Sequence, residues 1–283
     1  MQTTPSLKTQ ILALAQRRLS ANGAGLSLCL LAPNGNELLN IQAAQIKPSA
    51  STIKIAILLA ALQQVDAGRH ELDESIRITA DNRVGGTGVL FGLPSVQQLT
   101  LQELCQLMMV VSDNTATNQL IDLLGLDAIN QFIQTAGLQH TALRRKMMDS
   151  EAQKAGRDNT SSARDLCCLM LSLQQAGHLS PAMQSHALNL MATERPQALL
   201  AAALPEGVQA CNKVGQLANL RNDVGIFRCG DSALILAAMA TGFQDPVTSR
   251  SIYGGAGELL FAEIGALVCQ TCLSTPNSPR SQA

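Results

Sequence analysis

Residues 48–68 read PSASTIKIAILLAALQQVDAG and predict the central helix of the protein. Between residues 53 and 62 the only polar side chain is Lys54. A helix that is apolar on every side is a buried helix, and this one is too short to span a membrane, which takes about 20 residues. We therefore expect a core helix that begins near Ser51.

Ser51 and Lys54 lie three residues apart, a spacing that places both side chains on one helical face. Burying a lysine in the first turn is costly unless the amine has partners, and the positive end of the helix favours the neutral amine. A neutral lysine beside a serine can act as general base for a serine nucleophile. The alternative is that Ser51 caps the helix and Lys54 extends to solvent. Of the six lysines, only Lys54 has a serine three residues before it.

The chain has 283 residues, enough for one large domain or two lobes. With no Trp, one Tyr and five Phe, its core must be aliphatic. The formal net charge is -1 and no basic face is evident, so we expect neither a nucleic-acid partner nor an anionic membrane partner. We expect a monomer that binds a small-molecule substrate.

The N-terminal residues, MQTTPSLKTQILALAQRRL, lack the basic start, apolar run and cleavage site of a signal peptide. No later segment is long and apolar enough to cross a bilayer. We expect a cytoplasmic protein as the chain stands, or a periplasmic one if a leader has been removed.

The eight cysteines lie mostly in apolar runs, where we expect free thiols. Cys269 and Cys272 form a CxxC pair that stands alone, without a second pair or a nearby histidine. The four histidines are scattered along the chain. We therefore expect no metal site and no cofactor.

The order of predicted elements indicates an α+β fold, an α/β sandwich with an all-helical lobe. Strands at both ends of the chain predict a five-stranded antiparallel sheet flanked by the N- and C-terminal helices. The expected divisions are an α/β lobe of residues 1–50 and 206–273, a helical lobe of residues 51–205 and a disordered tail of residues 274–283. An active site is expected between the lobes. The elements of the α/β lobe are helices at 7–21 and 255–273, and strands at 24–32, 37–43, 208–214, 222–229 and 233–240.

Within the helical lobe, Thr100 and Glu103 form a capping box that opens a helix. A weak strand is expected within residues 72–79. Residues 81–92 and 141–159 are interpreted as loops, the second pinned by ion pairs from Arg144 and Arg145, with Asp158 as a partner. The predicted helices after the capping box are 101–111, 115–124, 127–136, 161–176 and 180–193.

Three short motifs carry the chemistry: Ser51-Thr-Ile-Lys54, Ser112-Asp113-Asn114 and Lys213-Val214-Gly215. Each is weak alone, since Ser-Asp-Asn is also an ordinary helix cap. In this order they resemble the motifs of the penicillin-recognising serine hydrolases, and those of class A β-lactamases most closely. The resemblance includes LTLQELCQLMMVVSDNTATNQLI, residues 99–121, and Arg221-Asn222-Asp223. It implies a β-lactamase/transpeptidase-like fold.

The resemblance also implies catalytic roles. Ser51 would be the nucleophile that forms an acyl-enzyme, and Lys54 would take its proton. Ser112 would relay a proton toward the leaving nitrogen. Lys213 would keep the site electropositive, which favours a neutral Lys54 and an anionic substrate.

The remaining implied roles concern substrate binding. Asn114 would hold the side-chain amide of the substrate, and Arg221 would bind its carboxylate. The backbone N–H groups of Ser51 and of Gln216, which follows Gly215 on the strand, would bind the oxyanion.

The chain departs from the class A pattern in two places. The family carries a glutamate two residues after an arginine, which activates the deacylating water, whereas here Met147 follows Arg145 at that spacing. Asp149 and Glu151 are near in sequence and are the candidates for a replacement base. In the strand motif, Val214 stands where the family has Thr or Ser.

These features together predict a β-lactamase-like serine hydrolase that β-lactams or related amides and esters acylate at Ser51. Deacylation is expected to be slow unless Asp149 or Glu151 supplies the base. Two alternatives stay open: a peptidase or esterase on the same scaffold, and a non-catalytic β-lactam-binding protein.

Overall fold

The computed structural model describes most of the chain. The described residues are 5–19, 25–175, 177–192, 198–243 and 255–273. The predicted tail at 274–283 lies outside them.

The described elements follow the predicted order. The helices are α1 Leu7–Arg18, α2 Lys54–Asp66, α3 Leu101–Val110, α4 Asn114–Leu124, α5 Leu126–Thr135, α6 Ser150–Lys154, α7 Ala163–Gln174, α8 Pro181–Ala192 and α9 Ala256–Cys272. The strands are β1 Leu26–Leu31, β2 Glu37–Ile41, β3 Lys47–Pro48, β4 Ser75–Arg77, β5 Gln98–Thr100, β6 Thr160–Ser161, β7 Gln209–Leu217, β8 Leu220–Cys229 and β9 Ser232–Thr241.

The main sheet has five antiparallel strands in the order β2-β1-β9-β8-β7, which confirms the predicted sheet from both ends of the chain. Strands β7 and β8 extend further than predicted, because their ladder continues through Gly215↔Asn222 to Leu217↔Leu220. The added residues are largely polar or glycine, so hydrophobicity does not mark them. As the edge strand, β7 leaves one side open toward the helical lobe.

Both faces of the sheet are buried. In β1, Leu26, Leu28 and Leu30 pack in one cluster with residues of α1 and α9, which confirms that the terminal helices cover the sheet. The alternate residues Cys29 and Leu31 join a second cluster that is continuous with the helical lobe. Burial on both sides explains why β1, LSLCLL, is apolar at every position except Ser27. The two predicted lobes therefore share one of the two cores.

The central helix begins differently from the prediction. A 3₁₀ turn, Ala50–Ile53, precedes α2, so Ser51 lies in the turn and does not cap the α-helix. Ala50 has a φ of 46°, and the Thr52 hydroxyl donates to the Ser49 carbonyl at 2.6 Å. These bonds close the turn locally, which is why an N-cap serine is not needed.

Three other segments confirm or refine the prediction. The capping box of Thr100 and Glu103 is confirmed at the start of α3. The weak strand is β4, which pairs with β5. The loop 141–159 contains α6, whose N-cap is Asp149. The predicted ion pair is also present, with Arg145 Nη2 2.7 Å from Asp158 Oδ1.

One side chain joins the sheet to the 3₁₀ turn. Asn222 on β8 is fully buried and its Nδ2 donates to the carbonyls of Pro48 at 2.9 Å and Ser49 at 3.0 Å. Without these donors two buried carbonyls lose a partner. Loss of these two hydrogen bonds should therefore lower the free energy of unfolding.

Asn222→Ala should lower the free energy of unfolding by about 1–3 kcal/mol, because it removes two hydrogen bonds that contribute about 0.5–1.5 kcal/mol each. Urea denaturation followed by circular dichroism measures it. The matched control is Asn36→Ala at an exposed position of the β1–β2 turn, which should change stability by less than about 0.5 kcal/mol. Equal losses in the two variants would contradict the assignment of Asn222 as the connection.

Candidate active site

The turn that carries Ser51 is fixed from two sides. The Ser49 N–H donates to the Asn159 carbonyl at 2.9 Å, and Asn222 holds the Ser49 carbonyl. Gly215 of β7 lies directly beside the turn, since a Cβ there would be 3.0 Å from the Ser51 nitrogen and 3.0 Å from the Ser49 oxygen. A side chain at this position would crowd the backbone of the turn, so the close approach favours glycine. The strand motif and the nucleophile motif are thus adjacent.

Lys54 is completely buried at the start of α2. Its Nζ lies 2.7 Å from the Ser112 carbonyl oxygen, 2.8 Å from Asn114 Oδ1 and 3.1 Å from Ser112 Oγ. Burial lowers the pKa of Lys54 to about 7, although the nearby Asp113 carboxylate acts in the opposite direction. A substantial fraction of the amine is therefore neutral at neutral pH.

Ser112 stands between two amines. Its Oγ lies 3.1 Å from Lys54 Nζ and 3.1 Å from Lys213 Nζ. Ser112 has a φ of 55°, an unusual backbone conformation for a residue other than glycine. The conformation is held by its neighbour Asp113, whose buried carboxylate accepts from the backbone N–H groups of Val89, Leu90 and Ala116. The bend turns both the hydroxyl and the carbonyl of Ser112 toward Lys54.

Lys213 on β7 is 1% exposed, and its Nζ also contacts the carbonyl of Val214 at 3.2 Å. Asn114 begins α4, where its Nδ2 donates to the Gly85 carbonyl at 2.9 Å. The same amide therefore binds Lys54 through oxygen and the 85–88 loop through nitrogen. Four parts of the chain, far apart in sequence, meet at this point.

A cavity of about 360 Å³ opens above these groups. Three of the predicted site residues, Ser51, Asn114 and Gln216, line it. Its other lining residues come from the 85–88 loop, the 141–159 segment and the end of β7: Ala50, Gly86, Thr87, Arg145, Met147, Met148, Ser150, Gln153, Asp158, Asn159 and Leu217. A partly exposed serine, buried amines and an adjacent cavity are the components of a nucleophilic hydrolase site.

Comparison with known proteins agrees with this geometry. The family model described as "Beta-lactamase enzyme family" matches residues 6–272. The chain belongs to the beta-lactamase enzyme family. A curated beta-lactamase from Streptomyces albus G is 30% identical over 159 residues, 52% of this chain and 51% of that protein. One from Streptomyces fradiae is 33% identical over 120 residues, 40% and 39% of the two chains. The matches thus span about half or less of these curated relatives.

Solved structures match over nearly the whole chain. A beta-lactamase from Sphaerobacter thermophilus DSM 20745 is 27% identical with a TM-score of 0.82, covering 95% of this chain and 98% of that one. PBP-A is 31% identical with a TM-score of 0.81, covering 94% and 95%. A mutant of PBP-A is known as an acyl-enzyme complex with penicillin G. These matches confirm the predicted β-lactamase-like fold.

Lys54, Ser112, Lys213 and Gly215 do not line the cavity but lie in the cluster next to Ser51, whereas three other predicted site residues belong neither to the cavity wall nor to that cluster. Arg221 lies on the face of β8 opposite Asn222, where its Nε donates to Glu258 Oε1 of α9 at 2.6 Å. Its role as a carboxylate ligand thus lacks support from the geometry. Asp149 caps α6 by accepting from the Ala152 N–H at 2.9 Å, and Glu151 is exposed on that helix. Neither carboxylate lines the cavity.

The sequence analysis did not identify several residues that build the site of this protein. Asn159 fixes the 141–159 segment, since its Oδ1 accepts from the N–H groups of Arg144 and Arg145. Asn222 was noticed only as part of the Arg-Asn-Asp resemblance. The 85–88 loop carries a signal in its glycines: a Cβ at Gly88 would lie 2.2 Å from the Asp113 carboxylate. The role of Asp158 in the cavity had no signal beyond its charge.

The described part of the chain contains no group of three or more His, Cys, Asp or Glu residues that could hold a metal ion. Among the same residues, no helix has the length and apolar character needed to cross a membrane. The eight cysteines are free thiols.

The lowered pKa of Lys54 predicts how stability depends on pH. Between about pH 7 and 10.5 the unfolded chain binds a proton on Lys54 that the folded protein does not. Stability therefore rises with pH in this window and the contribution is lost as pH falls toward 7, with a slope of roughly 1.4 kcal/mol per pH unit at most.

Lys54→Met isolates this contribution, because all other groups titrate in both proteins. Urea denaturation at pH 7, 8 and 9 should show the wild-type protein gaining stability relative to the variant as pH rises. A difference that is constant across this range would contradict a depressed pKa.

Proposed function

We propose that the protein is a serine hydrolase that β-lactams or related amides and esters acylate at Ser51. The observation that supports this most directly is the position of the Ser112 hydroxyl between two buried amines, one of which has a pKa of about 7. A structural serine has no need of this arrangement. Membership of the beta-lactamase enzyme family and the acyl-enzyme known for the PBP-A mutant agree with it.

The hydrogen bonds of Lys54 suit a neutral amine. Its two N–H groups donate to the Ser112 carbonyl and to Asn114 Oδ1, which can only accept. The lone pair is then left to accept a proton. The Ser112 hydroxyl can donate to it while accepting from the Lys213 ammonium group. When the Ser112 hydroxyl turns its proton toward the leaving nitrogen instead, the Lys54 lone pair is free to receive the proton of Ser51.

Acylation then proceeds in three proton transfers. Ser51 Oγ attacks the substrate carbonyl and its proton passes to Lys54. The backbone N–H groups of Ser51 and Gln216 stabilise the oxyanion that develops. When the carbon–nitrogen bond breaks, Ser112 protonates the leaving nitrogen and is reprotonated by Lys54. The acyl group remains on Ser51 and Lys54 is neutral again.

Deacylation needs a base that activates water, and the cavity offers a poor one. Among the lining residues that the structure describes, the single carboxylate is Asp158. Its Oδ1 is 2.7 Å from Arg145 Nη2 and also accepts from the Asn159 N–H. Its other oxygen, Oδ2, accepts from Gln153 Nε2 at 3.1 Å, so both carboxylate oxygens are engaged by protein donors. We infer that the acyl-enzyme is long-lived.

The second candidate is an esterase or peptidase that uses the same residues. It is favoured by the missing carboxylate ligands: Arg221 is engaged by Glu258, and Val214 has no hydroxyl. A penicillin carries a carboxylate beside its lactam, whereas an ester or amide substrate need not.

Incubation with benzylpenicillin should add the mass of one intact drug molecule to Ser51, because opening the lactam releases no fragment. Intact-mass spectrometry followed by peptide mapping measures it, and the adduct should persist for minutes or longer. Ser51→Ala should form no adduct. If neither penicillin nor an activated ester such as p-nitrophenyl acetate adds to Ser51, the proposed function is wrong.

Met147→Glu should shorten the lifetime of the adduct by about 100-fold or more, the usual contribution of a positioned base. Met147 lines the cavity at the position where class A enzymes carry glutamate. Time-resolved intact mass after removal of free penicillin measures the lifetime. Glu151→Gln is the control and should leave it unchanged, because Glu151 is outside the cavity; a large lengthening there would show that Glu151 is the base.

A further inference from the structure

Part of the cavity wall is apolar and open to solvent. Met148 is 55% exposed and Leu217 is 40% exposed, and both line the cavity beside Ser51. Met147 adds a buried apolar surface between them and α4. Large apolar side chains left in water at the wall of a cleft are typical of a binding surface. They favour an apolar ligand group.

Met148 is held in place at an energetic cost. Its φ of 65° is a strained conformation for a long side chain. It lies across from Gly86 of the 85–88 loop, since a Cβ on Gly86 would be 2.8 Å from Met148 Sδ. Asn118 fixes the preceding residue, accepting from the Met147 N–H at 2.7 Å and donating to its carbonyl at 3.2 Å. These contacts keep the thioether at the mouth of the cavity.

The charged residues of the cavity wall neutralise each other. Arg145 and Asp158 are the two charged lining residues in the described structure, and they form an ion pair at 2.7 Å. Asp158 Oδ2 also accepts from Gln153 Nε2 at 3.1 Å, and Arg145 Nη1 donates to the Lys146 carbonyl at 3.1 Å. A charged substrate group placed here would lose its hydration without gaining an unpaired counter-charge.

We propose that this wall selects acyl donors whose acyl side chain is neutral and apolar, an alkyl or aryl group, with Met148 as a specificity-determining contact. The proposal rests on acylation of Ser51 as described above. The substrate class is thus defined by its acyl group, and the leaving group is not specified.

A matched set of p-nitrophenyl esters tests the proposal: hexanoyl, adipoyl with a terminal carboxylate, and 6-(trimethylammonio)hexanoyl. Release of p-nitrophenolate and intact mass give the second-order rate constant for acylation of Ser51. The hexanoyl ester should react about tenfold faster or more than either charged ester, the scale of discrimination that an apolar pocket gives. Equal or faster acylation by a charged ester overturns the proposal. If neither the esters nor penicillin acylates Ser51, the proposed function is wrong as well.

Two substitutions test the role of the ion pair. Asp158→Asn leaves Arg145 unpaired and should raise the rate of the adipoyl ester relative to hexanoyl by about tenfold. Arg145→Gln leaves Asp158 unpaired and should instead raise the acylation rate of the cationic ester relative to hexanoyl. A loosened loop alone would not favour the anionic ester in one variant and the cationic ester in the other. Parallel changes in the two variants therefore overturn the proposal.

Met148→Gln keeps the length of the side chain and makes it polar, so the preference for hexanoyl should fall by severalfold. Leu38→Gln is the matched control, because Leu38 is an exposed apolar residue on β2 outside the cavity. An unchanged preference in Met148→Gln, or an equal loss in Leu38→Gln, overturns the assignment of Met148.

Discussion

The site depends on a lysine amine that is entirely removed from water. Lys54 has three oxygen atoms within 3.1 Å and no exposed surface. Such an amine is stable in the folded protein only if its surroundings satisfy it in both protonation states. The left-handed backbone of Ser112 supplies two of the three oxygens, and the buried carboxylate of Asp113 maintains that backbone. The Ser-Asp-Asn motif is therefore a support for one amine as well as a helix cap.

The second requirement is that the turn carrying Ser51 and the sheet edge keep their relative position. The sheet achieves this because both ends of the chain contribute strands, which leaves β7 at the edge nearest the turn. Gly215 permits the backbones to touch, and Asn222 on the neighbouring strand holds the two carbonyls before the turn. A displacement of the sheet would move Lys213 away from Ser112 and would also pull on Ser51. Packing and chemistry are coupled through these few contacts.

The sequence could predict those parts of the structure that local patterns determine. The apolar stretch after Lys54, the capping box at Thr100 and the terminal helices were readable because each follows a short-range rule. The position of Arg221 could not be predicted from the sequence. Two adjacent strand residues point to opposite faces of the sheet, and the motif alone does not say which face meets the cleft. The pairing of Asp158 with Arg145 was anticipated, but its place in the cavity depends on how a long loop folds back. Such long-range placement leaves no periodic signal.

The two halves of an acyl-enzyme reaction make opposite demands on the charge around Lys54. Acylation needs a neutral amine, and burial supplies it by lowering the pKa of Lys54 to about 7 against the opposing effect of Asp113. A second free carboxylate near the amine would favour its protonated form. A base for deacylation is such a carboxylate, so adding one speeds the second step while it slows the first at neutral pH. In this chain Met147 is apolar and Asp158 is paired with Arg145, so the described cavity wall holds no unpaired carboxylate. On the proposed mechanism, a lack of unpaired carboxylates near Ser51 would therefore favour acylation and slow deacylation together.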